Sequence, residues 1–586
     1  MKKLYITIAV FFSLYMVYIN STAENVIYMD QIRMTSLIEK YFNGSLTFLD
    51  LWSSYLGHRS LGYHLIFVMN AALFNLNSLI EINISAICLL VVAIILLRSY
   101  YLEFNDASIL KEKNNKNVIK VNLITIIIVL FSLNKWETAL LGLGLNEYLV
   151  NVLFIVMFYL FNQFLIHKTM TTKMKIVLFL SLNFSIIFFS LAYVAPFFFA
   201  LYLIFIIDFL IKKQEIKSKL PVITIYTINA FLLCLIYLFN INSQSANAKS
   251  LSIFEKIFTL IAQPVSVVKF YFYGLSGSVF GVETAQKIIG NNILLMLGVF
   301  VFLFYIISIY LFFRNKLYNI NYFPLLLIMY SLTYMGLVLV GRLEYGELYG
   351  LQSRYSLAMM YGLIGIVWIF SLVLKQTTYN FKIKIFNFSF ITVLILCIML
   401  TNLDEIRKSP YREQAYQNMR TYAFYGEWEN WEVFQYDEDS TKKAFETLKK
   451  YNLNVYYDYP KIELKELGTN IKQFKIEQGI YQDGENSYWV SKSGSIKVKS
   501  GQTGHVAIEG FMNDVYDTNN ISVYVDETQV VDEIIKPGNV KLSFFIEPNK
   551  VHTIKIEIEK TFIPYEMGIN NDKRELGIII NKLNIE

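Results

Sequence analysis

Long apolar segments recur through residues 1–402 and constrain this chain more than any other feature. A helix needs about 20 mostly apolar residues to cross the hydrocarbon core of a bilayer, and about eleven segments approach that length. Only 17% of the residues are charged, whereas soluble domains have about 25%. We therefore predict a polytopic α-helical membrane domain, with spans at residues 4–20, 79–97, 119–134, 146–166, 176–191, 194–211, 221–240, 291–313, 322–340, 355–374 and 385–401.

Basic residues lie in short clusters between the apolar segments, as topology signals do. With the N-terminus in the cytoplasm, the clusters at 2–3, 98–120, 168–175, 212–219, 314–316 and 375–384 all face the cytoplasm. The outer loops then hold about half as many basic residues. This orientation and an odd number of spans place residues 403–586 outside, so we predict a multi-pass protein of the plasma membrane. A second interpretation stays open, in which the first helix is a signal peptide cleaved near Ala23.

Two apolar stretches do not fit as single spans. Residues 61–76 are short, and residues 251–275 contain Glu255, Lys256, Pro264 and Lys269. Counting either one as a span would invert every later loop and put the basic clusters outside. We expect both to lie in the outer interface or to re-enter the membrane from it.

The last third of the chain reads as water-exposed protein. Residues 403–460 have a helical pattern and are predicted to form a connecting region. Farther on the period changes to two, for example at Ile521, Val523 and Val525, which predicts antiparallel strands. We predict an extracytoplasmic α+β region that ends in a β-sandwich over residues 461–586. All three cysteines lie in apolar segments, so this region is expected to fold without a disulfide.

Most of the unusual polar residues fall on the predicted outer side. Any one of them reads equally well as a solvated loop charge, but together they provide carboxylates and arginines at the membrane face of several helices. Such a set can bind an anionic lipid headgroup and activate a hydroxyl group. The candidates are Asp30, Glu39, His58, Arg59, Trp136, Glu137, Arg342, Glu344 and Arg354.

Each candidate is assigned a chemical role. Asp30 is the predicted catalytic base, because a carboxylate can remove the proton of an attacking sugar hydroxyl. His58, Arg59, Arg342 and Arg354 are predicted to bind the phosphate of a lipid carrier, which needs fixed positive charge. Glu39, Trp136, Glu137 and Glu344 are assigned to substrate binding, although Trp136 also suits the interfacial aromatic belt. No metal ligand is assigned.

Several classes of protein are disfavoured by the motifs. The chain has no P-loop, no dinucleotide-binding glycine pattern, no HExxH and no GxSxG, so nucleotide hydrolysis and zinc chemistry are not expected. The net charge of +6 is divided among loop clusters and does not form a nucleic-acid footprint.

The order of these motifs resembles the GT-C fold of membrane glycosyltransferases. Asp30 occupies the place of an acidic residue just after the first helix, although Gln31 follows it where many members have a second acid. Uncharacterised bacterial proteins of this type have elements similar to Trp52 with His58-Arg59, to Trp136-Glu137, and to Gly341-Arg342 with Ser353-Arg354-Tyr355. The end of the chain is similar to jelly-roll modules attached to bacterial glycosyltransferases, in the residues Pro564, Gly568, Asp572, Arg574, Leu576 and Gly577.

The resemblance implies an inverting glycosyltransferase that moves a sugar from a polyprenyl-phosphate carrier to an extracytoplasmic acceptor. The acceptor would be a cell-wall polymer, a capsule or a glycolipid, and a divalent metal ion is compatible with the chemistry. The jelly-roll similarity implies carbohydrate binding, but Asp572 and Arg574 can equally pair and hold the last turn. Three other functions stay open: a transporter or flippase for a lipid-linked glycan, a non-catalytic membrane scaffold that presents the β domain, and a polysaccharide polymerase.

Overall fold

The chain was analysed as a computed structural model, which describes residues 2–55, 58–104, 113–166, 171–189, 191–212, 216–239, 253–376, 381–425, 428–458, 474–482, 487–499, 504–548, 550–569 and 572–585. It has two compact units. Unit 1 comprises residues 1–420 and 431–454, and unit 2 comprises 421–430 and 455–586. The predicted connecting region is therefore divided, because the helix at 438–451 packs on the helix at 30–42 in unit 1.

Unit 1 is helical. Its helices are α1 Lys2–Thr22, α2 Asp30–Phe42, α3 Phe48–Leu51, α4 Leu61–Phe74, α5 Ser78–Phe104, α6 Lys113–Leu130, α7 Trp136–Ala139, α8 Leu145–Ile166, α9 Thr172–Phe188, α10 Leu191–Ile211, α11 Ile216–Leu238, α12 Ile253–Ala262, α13 Pro264–Gly277, α14 Val282–Ile288, α15 Gly290–Arg314, α16 Phe323–Arg342, α17 Ser356–Gln376, α18 Phe381–Tyr425 and α19 Glu438–Tyr451. A two-stranded hairpin, β1 Ser54–Tyr55 and β2 His58–Arg59, interrupts them. Short 3₁₀ turns lie at Leu133–Lys135, Gly142–Gly144, Leu317–Asn319, Leu343–Tyr345, Glu347–Leu351, Ser353–Tyr355 and Trp428–Phe434.

Ten helical segments of the described chain are long and apolar enough to cross a membrane. They contain α1, α5, α6, α8, α10, α11, α15, α16, α17 and α18, and each overlaps a predicted span. The predicted span at 176–191 corresponds to α9, which has 17 residues. At 1.5 Å per residue α9 is about 26 Å long, just short of the hydrocarbon core.

Helix α9 nevertheless runs through the bundle beside α11. The Tyr226 hydroxyl donates to the carbonyl of Lys175 at 2.8 Å, and the Asn229 amide donates to Asn183, farther along both helices, at 2.8 Å. The two helices therefore advance in the same direction. Helix α9 ends against α4, where a Cβ built on Gly62 would lie 2.9 Å from the carbonyl oxygen of Phe188.

Helix α13, within the stretch 251–275, does not carry the chain across the bundle. Near its start, Ser266 donates to Glu347 at 2.8 Å and Lys269 pairs with Glu347 at 3.2 Å. At its end, the carbonyl of Gly277 accepts from Ser356 at 3.2 Å. Both ends of α13 thus meet the same connection between α16 and α17, and α13 and α14 are bent by 102°. A bend of this kind occurs in a broken span or in a re-entrant segment, and the second is the form that the sequence predicts.

Contacts between residues far apart in sequence close the region around the first loop. The amide of Met29 donates to the carbonyl of Phe434 at 2.8 Å. The side chain of Asn454 donates to Asn25 at 2.7 Å and to the carbonyl of Leu76 at 2.8 Å. The start of α2 is therefore held by a segment that follows it by about 400 residues.

Unit 2 contains α20 Val455–Asp458 and an antiparallel sheet. The hydrogen bonds join its eight strands into one barrel-like sheet, in the order β7-β6-β9-β4-β10-β5-β8 with β3 beside β4. The predicted sandwich is thus a single connected sheet, because the 12-residue β4 pairs with β3, β9 and β10. The strands are β3 Phe474–Gln482, β4 Tyr488–Lys499, β5 His505–Met512, β6 Asn519–Val525, β7 Thr528–Ile535, β8 Gly538–Phe545, β9 Val551–Ile558 and β10 Ile578–Ile585.

The alternating pattern of unit 2 is confirmed. In β6 the residues Ile521, Val523 and Val525 are buried, and the residues between them are half-buried. At the turn before β10, Arg574 pairs with Asp572 at 2.6 Å, and the Arg574 amide also donates to that carboxylate at 3.0 Å. The pair therefore holds this turn, as one of the two interpretations expected. The three cysteines are free thiols.

Candidate functional site

Asp30 is the first residue of α2, directly after a strained backbone position. Met29 has φ 54° and ψ −139°, a conformation that residues other than glycine rarely adopt. The hydrogen bond from the Met29 amide to Phe434 holds this conformation. The Asp30 side chain is exposed and has no hydrogen bond or ion pair within the described residues. The fold thus presents Asp30 as a free carboxylate at a helix N-terminus, where negative charge is favoured.

The neighbouring residue Gln31 anchors α2 in the protein interior. Its amide donates to the Tyr63 hydroxyl at 3.0 Å and to the carboxylate of Glu81 at 3.3 Å. Tyr63 donates to the same oxygen of Glu81 at 2.9 Å, and Asn70 donates to the other oxygen at 2.7 Å. Glu81 is buried, so this hydrogen-bonded cluster compensates a costly polar burial. Gln31 thus fixes the start of α2 to α4 and α5 through these hydrogen bonds.

A second part of the site is the ion pair between Arg354 and Glu137. The two side chains approach to 2.5 Å, and Ser353 donates to the other carboxylate oxygen of Glu137 at 3.2 Å. Glu137 lies in α7, and Arg354 lies in the 3₁₀ turn before α17. The structure therefore brings together the Trp-Glu and Ser-Arg-Tyr elements that the sequence analysis singled out.

Buried donors without partners lie next to this ion pair. The Arg354 Nε and the Tyr355 hydroxyl are buried and have no hydrogen-bond acceptor in the described chain. Arg342 and Arg354 both act electrostatically on the Tyr355 hydroxyl. Arg342 is exposed, its guanidinium lies 5.6 Å from the ring of Tyr345, and no described carboxylate pairs with it. The two arginines and the Tyr355 hydroxyl thus have unused hydrogen-bond donors, and an oxyanion could accept hydrogen bonds from them.

Tyr193 connects this group to Asp30. Both Asp30 and Arg354 act electrostatically on the Tyr193 hydroxyl. That hydroxyl donates to Glu147 at 2.8 Å, and Glu147 interacts in turn with Arg354. Asp30, Glu147 and Arg354 therefore all interact with one tyrosine, although they come from three separate parts of the chain.

Tyr28 interacts with the same group. Its hydroxyl is 3.2 Å from that of Tyr416, and the charges of Glu137 and Arg354 act on it. Burial raises the pKa of Tyr28 well above its ordinary value, so the hydroxyl stays neutral and available for hydrogen bonding.

Other predicted site residues have different partners. Arg59 donates to the carbonyls of Tyr237 at 2.9 Å and Phe239 at 2.6 Å, and also to the carbonyl of Trp52. These contacts join β2 to the end of α11. His58 lies in β2, and its side chain is outside the described part of the chain.

The remaining predicted residues lie at the edges of the site. The Arg412 guanidinium stacks on Trp136 at 3.3 Å from the ring centroid, which covers one face of the indole. Arg412 also pairs with Glu405 at 2.9 Å. Glu344 pairs with Lys256 of α12 at 3.4 Å. Glu39 lies nine residues after Asp30 on α2, about 13 Å along the helix axis, so it is separate from the Asp30 end.

His64 packs beneath the first loop on α4. Its Nδ1 lies 2.8 Å from the carbonyl oxygen of Leu51, and the ring is buried. Burial is the main cause that lowers the pKa of His64 to about 4, so its imidazole is neutral near pH 7.

Sequence reasoning missed Glu147 and Tyr193 as candidate site residues, and it assigned no role to Tyr355 of the Ser-Arg-Tyr element. For Glu147 one signal was present, because an ionisable residue in a spanning segment is by default a functional candidate. Glu147 lies in the first turn of α8, within such a segment. Tyr193 belongs to a chain with 42 tyrosines, and only the fold distinguishes it.

Among the described residues, no three metal-ligating side chains are gathered in one place. Comparisons with protein-family models, with curated proteins and with solved structures found no match to this chain.

Proposed function

We propose that this chain is a membrane glycosyltransferase that moves a sugar from a polyprenyl-phosphate carrier to an extracytoplasmic acceptor. The observation that supports this proposal best is the group around Tyr193: a free carboxylate, Asp30, and an arginine with an unused buried donor, Arg354, both act electrostatically on its hydroxyl. Sugar transfer from a lipid phosphate needs both features, a base for the acceptor and fixed positive charge for the leaving group.

In the proposed reaction the oxygen of an acceptor hydroxyl attacks the anomeric carbon of the donor sugar, with inversion. Asp30 takes the proton of that hydroxyl as the new glycosidic bond forms. The bond from the anomeric carbon to the phosphate oxygen breaks, and the lipid phosphate leaves with the electron pair. Arg342, Arg354 and the Tyr355 hydroxyl stabilise the departing phosphate, because their unused donors can bind its oxygens.

The proposal includes an orientation. The basic loop clusters support a cytoplasmic N-terminus in the plasma membrane, with the Asp30 group on the outer side. Unit 2 would then lie outside, where its expected jelly-roll-like carbohydrate binding can be tested on a glycan array with the full-length protein. Uniform absence of binding would count against a glycan-binding role for unit 2.

The decisive experiment is glycan analysis of the envelope of a deletion strain complemented with variants. Asp30→Asn should lower transfer by about 10²- to 10⁴-fold, the usual contribution of a general base. Asp50→Asn is the matched control, because Asp50 is another acid of the first loop, half-buried and paired with Lys40 at 2.5 Å. The glycan missing in the deletion strain should return with Asp50→Asn and not with Asp30→Asn.

Two results would overturn the proposal. Full activity of Asp30→Asn, at equal amounts of inserted protein, would remove the base assignment. A deletion strain with unchanged glycans, together with tolerance of simultaneous neutralisation of Asp30, Arg342 and Arg354, would favour a membrane scaffold.

A further inference from the structure

We infer that Glu147 is a second functional carboxylate of this site and binds a hydroxyl group of the transferred sugar. This inference rests on the proposed function. It starts from the position of Glu147, which lies in the first turn of α8, on a segment that is long and apolar enough to cross a membrane. A carboxylate there is costly unless the fold uses it.

Glu147 lies among protein groups but remains partly accessible to water. Tyr193, its hydrogen-bond partner, is also half-buried, and so is Arg354. The three side chains are therefore partly accessible to water, and the exposed Asp30 acts electrostatically on the same tyrosine. A ligand can reach a side chain in such a position.

One oxygen of Glu147 is oriented and the other is unused. Oε1 accepts the hydrogen bond from Tyr193 at 2.8 Å. Oε2 has no hydrogen-bond partner among the residues that the structure describes. Tyr193 fixes the carboxylate, and the unused oxygen is an acceptor for an O–H donor from outside the protein.

The charges nearby decide which kind of ligand fits. Arg354 is shared by Glu137 and Glu147, and only the Glu137 contact is within ion-pair distance. Glu147 would repel a phosphate, so the phosphate belongs on the side of Arg342 and Tyr355. A neutral polyol hydroxyl, by contrast, donates well to a carboxylate. In the inferred arrangement the lipid phosphate lies toward Arg342 and Tyr355, and a sugar hydroxyl binds at Glu147.

The inference predicts an effect on binding of the donor, not on the chemical step. In membranes of the deletion strain, transfer would be measured against the amount of added wild-type lipid extract, which supplies the donor. Glu147→Gln should raise the amount needed for half-maximal transfer by about 10- to 100-fold, with little loss at saturation, because a charged hydrogen bond becomes a neutral one. Asp30→Asn should instead lower the rate at saturation.

Two further variants separate binding from folding. Tyr193→Phe keeps the carboxylate but removes its orienting hydroxyl, and should raise the half-maximal amount by a smaller factor. Glu103→Gln is the matched control, a part-buried carboxylate of α5 that accepts from Asn321 at 3.1 Å and lies outside the site. It should leave the half-maximal amount unchanged.

The outcomes distinguish the inference from the proposed function. If the wild type transfers sugar and Asp30→Asn does not, but Glu147→Gln has a wild-type half-maximal amount, the inference about Glu147 is wrong and the proposed function stands. If the wild type transfers no sugar, the proposed function itself fails. If Glu147→Gln unfolds in detergent at a lower temperature than the wild type, the test rests on Tyr193→Phe. An unchanged half-maximal amount of lipid extract for Tyr193→Phe then refutes the sugar contact.

Discussion

Gly144 offers a sharp test of how the site is held together. It ends the 3₁₀ turn that separates α7, which carries Glu137, from α8, which carries Glu147. A Cβ built on Gly144 would lie 2.0 Å from the carbonyl oxygen of Thr138, the residue after Glu137. Ordinary contact begins at 3.4 Å, so Gly144→Ala must displace that carbonyl by about 1.4 Å.

The displaced atom belongs to the backbone and cannot rotate away as a side chain would. Overpacking of this kind costs about 1–3 kcal/mol of stability. Because Glu137 is covalently next to Thr138, the shift also moves the carboxylate that pairs with Arg354. A misplacement of about 1 Å in a catalytic group can lower the rate by about 10²-fold. We therefore expect Gly144→Ala to lose both thermal stability and transfer activity.

The assay compares thermal unfolding in detergent, and transfer in membranes, for Gly144→Ala and Gly336→Ala. Gly336 lies inside α16, and a Cβ built there meets no atom within 4 Å. Alanine is favoured over glycine in a helix by up to about 1 kcal/mol, so Gly336→Ala should be neutral or stabilising. A Gly144→Ala protein with the stability and activity of Gly336→Ala would refute the close packing of α7 on the turn before α8.

Three other predictions follow from the described contacts. Arg354→Ala should lower stability by about 1–3 kcal/mol because it leaves Glu137 without its ion-pair partner. The double variant Arg354→Ala/Glu137→Ala should recover part of this loss, as a double-mutant cycle measured by thermal unfolding would show. The pKa of His64 is about 4 in the folded protein, below its ordinary value of 6.5. The neutral His64 is therefore fully accommodated above pH 6.5, and the free energy of unfolding falls by about 3 kcal/mol as the pH drops toward 4. His64→Gln should flatten that pH dependence of the unfolding temperature. Arg574→Ala removes the partner that lowers the pKa of Asp572. Hydrogen exchange in β10 should therefore become faster above pH 5, where the Asp572 carboxylate is ionised. An unchanged exchange rate above pH 5 would contradict the pairing.

The helices were predictable because membrane burial leaves a direct mark on the sequence. Apolar runs of the necessary length identified all ten candidate spans, and the period of two identified the strands of unit 2. The end of α9 was predicted at residue 191 and lies at Phe188, because apolar residues continue past the end of the helix. The joining of the strands into one sheet depends on which edges pair, and periodicity does not contain that information.

The site was only partly predictable. Asp30, Glu137 and Arg354 were found because they are polar residues at the ends of apolar segments. Arg59 has the same sequence signal, but its donors go to backbone carbonyls, and such partners cannot be read from spacing. Glu147 was missed because its hydrogen-bond partner Tyr193 is 46 residues away in sequence.

The hydrogen bond from Met29 to Phe434 has a consequence for biosynthesis. A ribosome adds about 5–20 residues per second, so the residues that fix the start of α2 emerge roughly 20–80 seconds after it. During that interval the first helices can insert, but the backbone before Asp30 has not received its partner. In a nascent chain the backbone before Asp30 would thus lack this partner until residue 434 has been synthesised. A chain released before that residue would have no hydrogen bond from Met29 to Phe434 to hold the strained conformation at the start of α2.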